Sequence, residues 1–205
     1  MISLYQKHVQ RWTGCTDCLL SECRGKMVFA RGTVPCDVLF IGEAPGESEN
    51  VIGKPFVGPA GKLLDAIIES AFPKRWVDDA TDPQGAMAEV VNGAPAKFSH
   101  ALTNLTCCIP RQWDGSKAGE PEPQEIVACQ PRLAEFVGLC RPKMIVCVGK
   151  LAALWVPRLP PMVMAGIKVI DVAHPAHILR ANAAQRPLMV QRVVVTLANA
   201  LEELS

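Results

Sequence analysis

Hydrophobic and polar positions alternate along the chain between short apolar runs and helical stripes. Val38-Leu39-Phe40-Ile41 and Met144-Ile145-Val146-Cys147-Val148 are unbroken apolar runs, the pattern of strands buried on both faces. With the similar stretches 100–106 and 168–173, they predict strands at 37–42, 100–106, 144–148 and 168–173. Between them the spacing turns helical. Leu63, Leu64, Ile67 and Ile68 share one face of a helix over 60–72. Pro123 stands at the tolerated first position of a longer helix, with Glu125 in its first turn and apolar residues at 126, 129, 133, 136, 137 and 140. Pro131 should kink that helix. Further helices are expected at 1–12, 150–155 and 187–204. Periodicity is weak over 73–98, which reads as a surface insertion with one helical turn near 86–91. A Pro/Gly/charged loop with Arg111, Trp113 and Lys117 spans 109–122.

Strands that alternate with helices predict a three-layer α/β/α fold around a central, mostly parallel, four-stranded sheet, formed as one domain over 1–205. Ligands in such sheets bind beyond the carboxyl ends of the strands. The first strand runs there into Gly42-Glu43-Ala44-Pro45-Gly46, a sharply turned loop with a carboxylate inside it. The loop continues through Glu47 and Glu49 to Phe56, set between Pro55 and Val57. Gly58-Pro59-Ala60-Gly61-Lys62 is not a phosphate-binding P-loop, because Phe56 and Leu63 occupy the positions of the required glycine and hydroxyl residue. A plain strand–loop–helix connection leaves the crowd of glutamates unexplained.

The loops after the first, second and fourth strands carry Glu43, Asn104 and His174, and the fold should bring them to one edge. A carboxylate, an amide and an imidazole there form a plausible hydrolytic set. Glu43 can orient water or balance positive charge in an oxocarbenium-like transition state. Asn104 can read an amide-like base edge with its donor and acceptor. His174 can donate to an oxygen that becomes anionic as a leaving group departs, and Phe56 can stack on a flat heterocycle. Taken singly, each has a plainer reading: turn former, strand cap or core residue.

Composition narrows the setting. The 205 residues carry a net charge of +1, so total charge does not announce a nucleic-acid binder, although a local basic surface remains open. No run of about 18 apolar residues is present, so no membrane span is expected. The first residues lack the apolar core of a signal peptide, and a cytoplasmic, monomeric protein is expected. Nine cysteines in a reducing compartment suit metal ligands or core positions better than disulfides. Cys15 and Cys18 form a C-x-x-C pair, and Cys108 and Cys129 flank the loop after the second strand. Four thiolates suit tetrahedral zinc or an iron–sulfur cluster, and the spacing does not choose. Cys140 and Cys147 lie on apolar faces and read as core, while Cys23, Cys36 and Cys107 are undecided.

These motifs, in their order and spacing, resemble the iron–sulfur uracil-DNA glycosylases, family 4 of that superfamily. Gly42-Glu43-Ala44-Pro45-Gly46, with Gly53-Lys54-Pro55-Phe56-Val57-Gly58-Pro59-Ala60-Gly61, is similar to the family's first motif. Thr103-Asn104-Leu105-Thr106-Cys107-Cys108-Ile109-Pro110 resembles its Asn-x-x-Lys-Cys-x-Pro segment. Glu125-Ile126-Val127-Ala128-Cys129-Gln130-Pro131 resembles the helix bearing its fourth cluster cysteine. Arg141-Pro142-Lys143-Met144 resembles the next strand entry, and His174-Pro175-Ala176-His177-Ile178-Leu179-Arg180 the closing motif. The resemblance implies that Cys15, Cys18, Cys108 and Cys129 hold a structural [4Fe–4S] cluster, with zinc the alternative. It implies that Glu43 and His174 are catalytic, that Ala44, Glu49, Phe56 and Asn104 bind the base, and that Glu49 disfavours thymine at the 5-position. Pro45, Gly46, Leu179 and Arg180 would contact DNA, the last two from a minor-groove loop that holds the base flipped out.

The implied activity is hydrolysis of the N-glycosidic bond of uracil in single- or double-stranded DNA, leaving an abasic site. Asn50, Thr106-Cys107 and Ile109 depart from the family pattern, Ile109 replacing an arginine suited to a phosphate contact. No histidine lies between Cys108 and Cys129, which sets aside the covalent product trapping of some relatives. A glycosylase-like DNA-binding module without catalysis, and a glycosylase for another modified base, are the competing expectations.

Overall fold

A computed structural model of the chain describes residues 2–71, 98–110 and 119–204. Apart from Phe98, the expected 73–98 insertion, and with it Arg111, Trp113 and Lys117, lies outside the described residues. At the centre is a five-stranded sheet in the order β1-β3-β2-β4-β5. The strands are β1 (Ala30–Gly32), β2 (Val38–Gly42), β3 (His100–Asn104), β4 (Met144–Val148) and β5 (Lys168–Val172). The four longer strands pair in parallel, as expected from the strand–helix alternation. The fifth is β1, a three-residue antiparallel edge strand on β3 with no apolar alternation of its own. Its strand character comes from pairing.

The period of two along each strand sorts the apolar residues into two cores. Val38, Phe40, Leu102, Met144, Val146 and Val148 face one side. There they pack on α4 (Pro59–Ala71), α8 (Pro175–Arg180) and α9 (Gln185–Glu202). Leu39, Ile41, Ala101, Ile145 and Cys147 face the other. On that side lie α5 (Pro123–Cys140), α6 (Lys150–Trp155) and, against α5, α1 (Leu4–Trp12). The result is the expected α/β/α sandwich. Cys140 and Cys147 are fully buried in this second core, as their apolar faces imply.

Helix α5 runs unbroken through Pro131, so the expected kink does not end or divide it. Four short helices stand where the pattern reads as loop: α2 (Leu20–Cys23), α3 (Glu47–Ile52), α7 (Pro161–Met164) and α8. Ile109 is fully buried, which accounts for an apolar residue at a position where the resemblance implies an exposed arginine. Among the described residues, no helix is long and apolar enough to cross a membrane.

Candidate active site and thiol corner

The parallel register sets Gly42 of β2 level with Asn104 of β3, so both strands end together. The loops beyond stay together. Leu105 N donates to the Gly42 carbonyl at 2.9 Å, and Thr106 N donates to the Glu43 carbonyl at 3.3 Å. Gly42 itself is a cradle. A Cβ there would lie 2.5 Å from both Asn104 Oδ1 and Phe56 Cζ, so only a hydrogen leaves room for the amide and the ring to converge.

Phe56 takes a left-handed backbone, φ 55°, that an aromatic residue rarely adopts. Its surroundings enforce it. Arg31, on β1, donates through Nε to the Pro55 carbonyl at 2.9 Å and through Nη2 to the Phe56 carbonyl at 3.3 Å. A Cβ on Gly61 would sit 1.8 Å from the Phe56 carbonyl oxygen, so α4 begins in backbone contact with this turn.

Glu49 closes the same loop. Its Oε1 accepts from Val57 N at 2.9 Å and Gly58 N at 2.8 Å, while Oε2 accepts from Gly46 N at 3.2 Å. The carboxylate expected to face the base's 5-position is thus committed to the loop's own backbone. Asn50 is buried, and its Oδ1 accepts from Gly25 N at 2.7 Å and Lys26 N at 3.4 Å. A carboxylate of the same shape would accept these bonds, so the departure at Asn50 preserves a structural tie. Ala44 and Gly46 are half-buried and Pro45 is buried in this turn.

Glu43 and His174 meet on either side of Gly149. A Cβ on Gly149 would lie 2.7 Å from Glu43 Oε1 and 3.1 Å from His174 Cβ, and its φ of +99° also favours glycine. Both residues line a cleft of about 950 Å³ with Glu120, Lys150, Asp171, His177, Arg180 and Arg192. Burial pushes the Glu43 carboxyl pKa up, as does the charge of Glu120, against the Leu151 backbone N–H and Arg180. His174 caps α8: its Nδ1 accepts from Ala176 N at 3.1 Å. Nε2 is then the protonated nitrogen of the neutral ring. Burial, and secondly Arg180, pulls its pKa down, so the imidazole is neutral at pH 7. Leu179 and Arg180 form the last turn of α8, where Arg186 Nη2 donates to the Leu179 carbonyl at 3.0 Å. Arg180 is exposed at the cleft edge.

The cysteines gather behind this edge. Cys107 and Cys108 pack with Leu20, Cys18, Met27, Phe29 and Cys129 in a small separate cluster. Arg24 ties in Cys15, donating to its carbonyl at 2.8 Å while lying 3.6 Å from Cys108 Sγ. Arg132 lies 3.7 Å from Cys129 Sγ. Burial raises the pKa of Cys15 and Cys18 and pushes Cys108 up to about 11. Cys129 is pulled down, first by the Cys107 thiol and then, against burial, by Arg132. Two cations on four clustered thiols make a donor set suited to an anionic metal centre. Among the described residues, no three Cys, His, Asp or Glu groups converge as the shell of one ion.

Arg31, Glu120, Arg132 and Gly149 are the site residues that sequence reasoning missed. A charged residue at 132, beside the apolar stripe of α5, was the one available signal.

Comparison with known proteins agrees with this architecture. The family model of the Uracil DNA glycosylase superfamily matches residues 29–198. The Type-4 uracil-DNA glycosylase of Saccharolobus solfataricus is 35% identical over 136 residues, covering 66% of this chain and 51% of that protein. The chain therefore spans about half the length of this relative. The Type-4 uracil-DNA glycosylases of Archaeoglobus fulgidus and Thermotoga maritima are each 28% identical, covering 83% of this chain and 81% of theirs. Among solved structures, wild-type Pedobacter heparinus SMUG2 shares the fold, with a TM-score of 0.53 at 11% identity, covering 81% of this chain and 76% of that one. By sequence match and by fold, the chain belongs to the Uracil DNA glycosylase superfamily.

Proposed function

We propose that this protein hydrolyses the N-glycosidic bond of deoxyuridine in DNA, leaving an abasic site and free uracil. One observation carries the reading: a carboxylate and a neutral imidazole flank Gly149, beside an amide and an aromatic ring that converge over Gly42. The flipped base stacks on Phe56 and is read by the Asn104 amide. As C1′–N1 breaks, the electron pair passes to the uracil ring, and the His174 Nε2–H donates to the oxygen that gathers negative charge. Glu43, ionised, faces the sugar cation and orients the water whose oxygen bonds to C1′. The water's proton passes to the carboxylate or to solvent. Glu49 acts through the backbone it holds. Pro45, Gly46, Leu179 and Arg180 flank the opening where the DNA backbone enters, single- or double-stranded, and the acting form is a monomer.

We propose further that Cys15, Cys18, Cys108 and Cys129 hold a [4Fe–4S] cluster. Bound, it would cross-link three segments of chain and supply negative charge beside Arg24 and Arg132. Cys15 and Cys18 lie ahead of the family match at residues 29–198, and their C-x-x-C spacing, with Arg24 tying Cys15 toward Cys108, supports them as ligands.

A base-release panel tests the activity. Uracil should be released from oligonucleotides by the wild type, and Glu43→Gln should slow it by roughly 10²–10⁴-fold, with Asn104→Ala also losing activity. DNA binding without release of uracil, hypoxanthine or hydroxymethyluracil would instead identify a non-catalytic module. Release of another base but not uracil would reassign the substrate. Anaerobically purified protein should be brown with about four irons per chain; a colourless protein with one zinc would overturn the cluster.

A further inference from the structure

Arg132 is 2% exposed and follows Cys129 by one turn of α5. Its Nη1 donates to Thr103 Oγ1 at 3.2 Å. Its Nη2 donates to the carbonyls of Asn104 at 2.8 Å and Leu105 at 2.9 Å, and lies 3.7 Å from Cys129 Sγ. One planar group thus touches the end of β3, the loop beyond it and a thiol of the proposed cluster. Thr103 is held in turn, its hydroxyl donating to the Phe29 carbonyl at 2.7 Å.

A guanidinium this deeply buried is strongly unfavourable without a counter-charge. Among the described residues, no carboxylate forms an ion pair with it. The structure sets the Cys129 thiol against it, with Sγ 3.7 Å from Nη2. A thiol neutralises a cation only as thiolate, the form that a metal-bound cysteine takes. One guanidinium therefore carries both the thiol contact and the bonds to the backbone beyond β3.

We propose that Arg132 is a positioning residue that couples the thiol corner to base reading. Contact with Cys129 seats the guanidinium. The guanidinium clamps the carbonyls of Asn104 and Leu105, and the clamped backbone presents the Asn104 amide over Gly42. This rests on the cluster and glycosylase readings above, and its test separates from both. Lysine at 132 keeps the charge but offers a single ammonium in place of the fork, and methionine fills a similar volume without charge.

The experiment compares wild type, R132K, R132M, N104A and the N104A/R132M double variant, all purified anaerobically. Metal loss to a chelator, deuterium uptake over 103–107, base-release kinetics and binding to abasic-analogue DNA are measured. R132M should lose metal roughly 10–100-fold faster, take up more deuterium over 103–107 and lower kcat/KM for uracil release. In the N104A background it should add no further loss of kcat/KM. R132K should restore metal retention but not kcat/KM, and abasic-analogue binding should stay unchanged in all variants. Wild-type uptake and metal retention in R132M, or activity losses that multiply in the double variant, would overturn the coupling. A wild type that releases no uracil sinks the glycosylase reading, while uptake and metal loss still decide the coupling. Should R132M fail to fold, R132K against wild type decides it by deuterium uptake over 103–107 and kcat/KM, wild-type values of both overturning the coupling.

Discussion

The cleft and the thiol corner lie at the same edge of the sheet but are built in opposite ways. The candidate catalytic and base-reading residues are delivered by regular backbone. Glu43 and His174 follow β2 and β5, Asn104 ends β3, and the register of those strands fixes their relative heights. Close glycine contacts at 42, 61 and 149 then set the gaps between them. The thiol corner has no strand register of its own. The ends of its chain segments are joined by side chains: Arg24 to Cys15 and Cys108, Asn50 to residues 25 and 26, and Arg132 to β3 and Cys129. A site made by register is preorganised once the sheet forms. A corner made by side chains depends on whatever the thiols hold, and that difference can be tested.

Cys129→Ser should have the largest effect. Loss of a ligand should empty the corner and cost roughly 4 kcal/mol or more, seen as lost brown absorbance and a lowered thermal midpoint. Retention of full colour would remove Cys129 from the ligand set, and a wild-type midpoint without colour would show that the corner stands without metal. Gly42→Ala should break the cleft alone. The new methyl collides with Asn104 and Phe56, and base release should fall roughly a hundredfold, about 2.7 kcal/mol of transition-state stabilisation. Iron content should not change; a joint loss of both would mean that the regions are not separable.

Asn50→Ala should strand the Gly25 N–H and weaken the tie between the regions, costing about 2 kcal/mol, or about 4–8 °C of thermal midpoint. Asn50→Asp should lose almost none of this, because its carboxylate can accept the same bonds. Glu120→Gln should be the mildest. Burial and then the Glu120 charge hold the Glu43 pKa above the ordinary carboxylate value. Activity that needs the ionised carboxylate therefore falls as pH drops through that raised value. Removing the Glu120 charge makes ionisation easier, so the acid limb of the pH–rate profile should move to lower pH, with little change in rate at neutral pH. A limb that stays in place would remove Glu120 from the site.

The same contrast explains what could be read from the residues. Strand β2 and its Gly-Glu-Ala-Pro-Gly exit were legible because an unbroken apolar run and a turn are both local signals. The role of Glu49 was not. The resemblance implies a group facing the base, whereas its donors, Val57 N and Gly58 N, reach it only after α3 turns the chain back. Arg31 was silent for a similar reason, since a three-residue edge strand has no pattern until β3 pairs with it. Pro131 removes a bond within α5, yet the helix continues past it, packed against the sheet through Leu133, Phe136 and Val137. Tertiary burial outweighs one missing hydrogen bond.

By itself, then, the sequence determined the α/β/α layering, the strands whose ends build the cleft, and the residue types available there, because periodicity and turn chemistry are local properties of the chain. The tertiary structure alone decided that Glu43 and His174 share Gly149, that Glu49 serves its own loop, and that Arg132 joins the thiols to Asn104. The first and last of those facts depend on distances between segments far apart in sequence, which are set only when the register of the sheet closes and the two cores pack, and the second on how α3 folds its loop back.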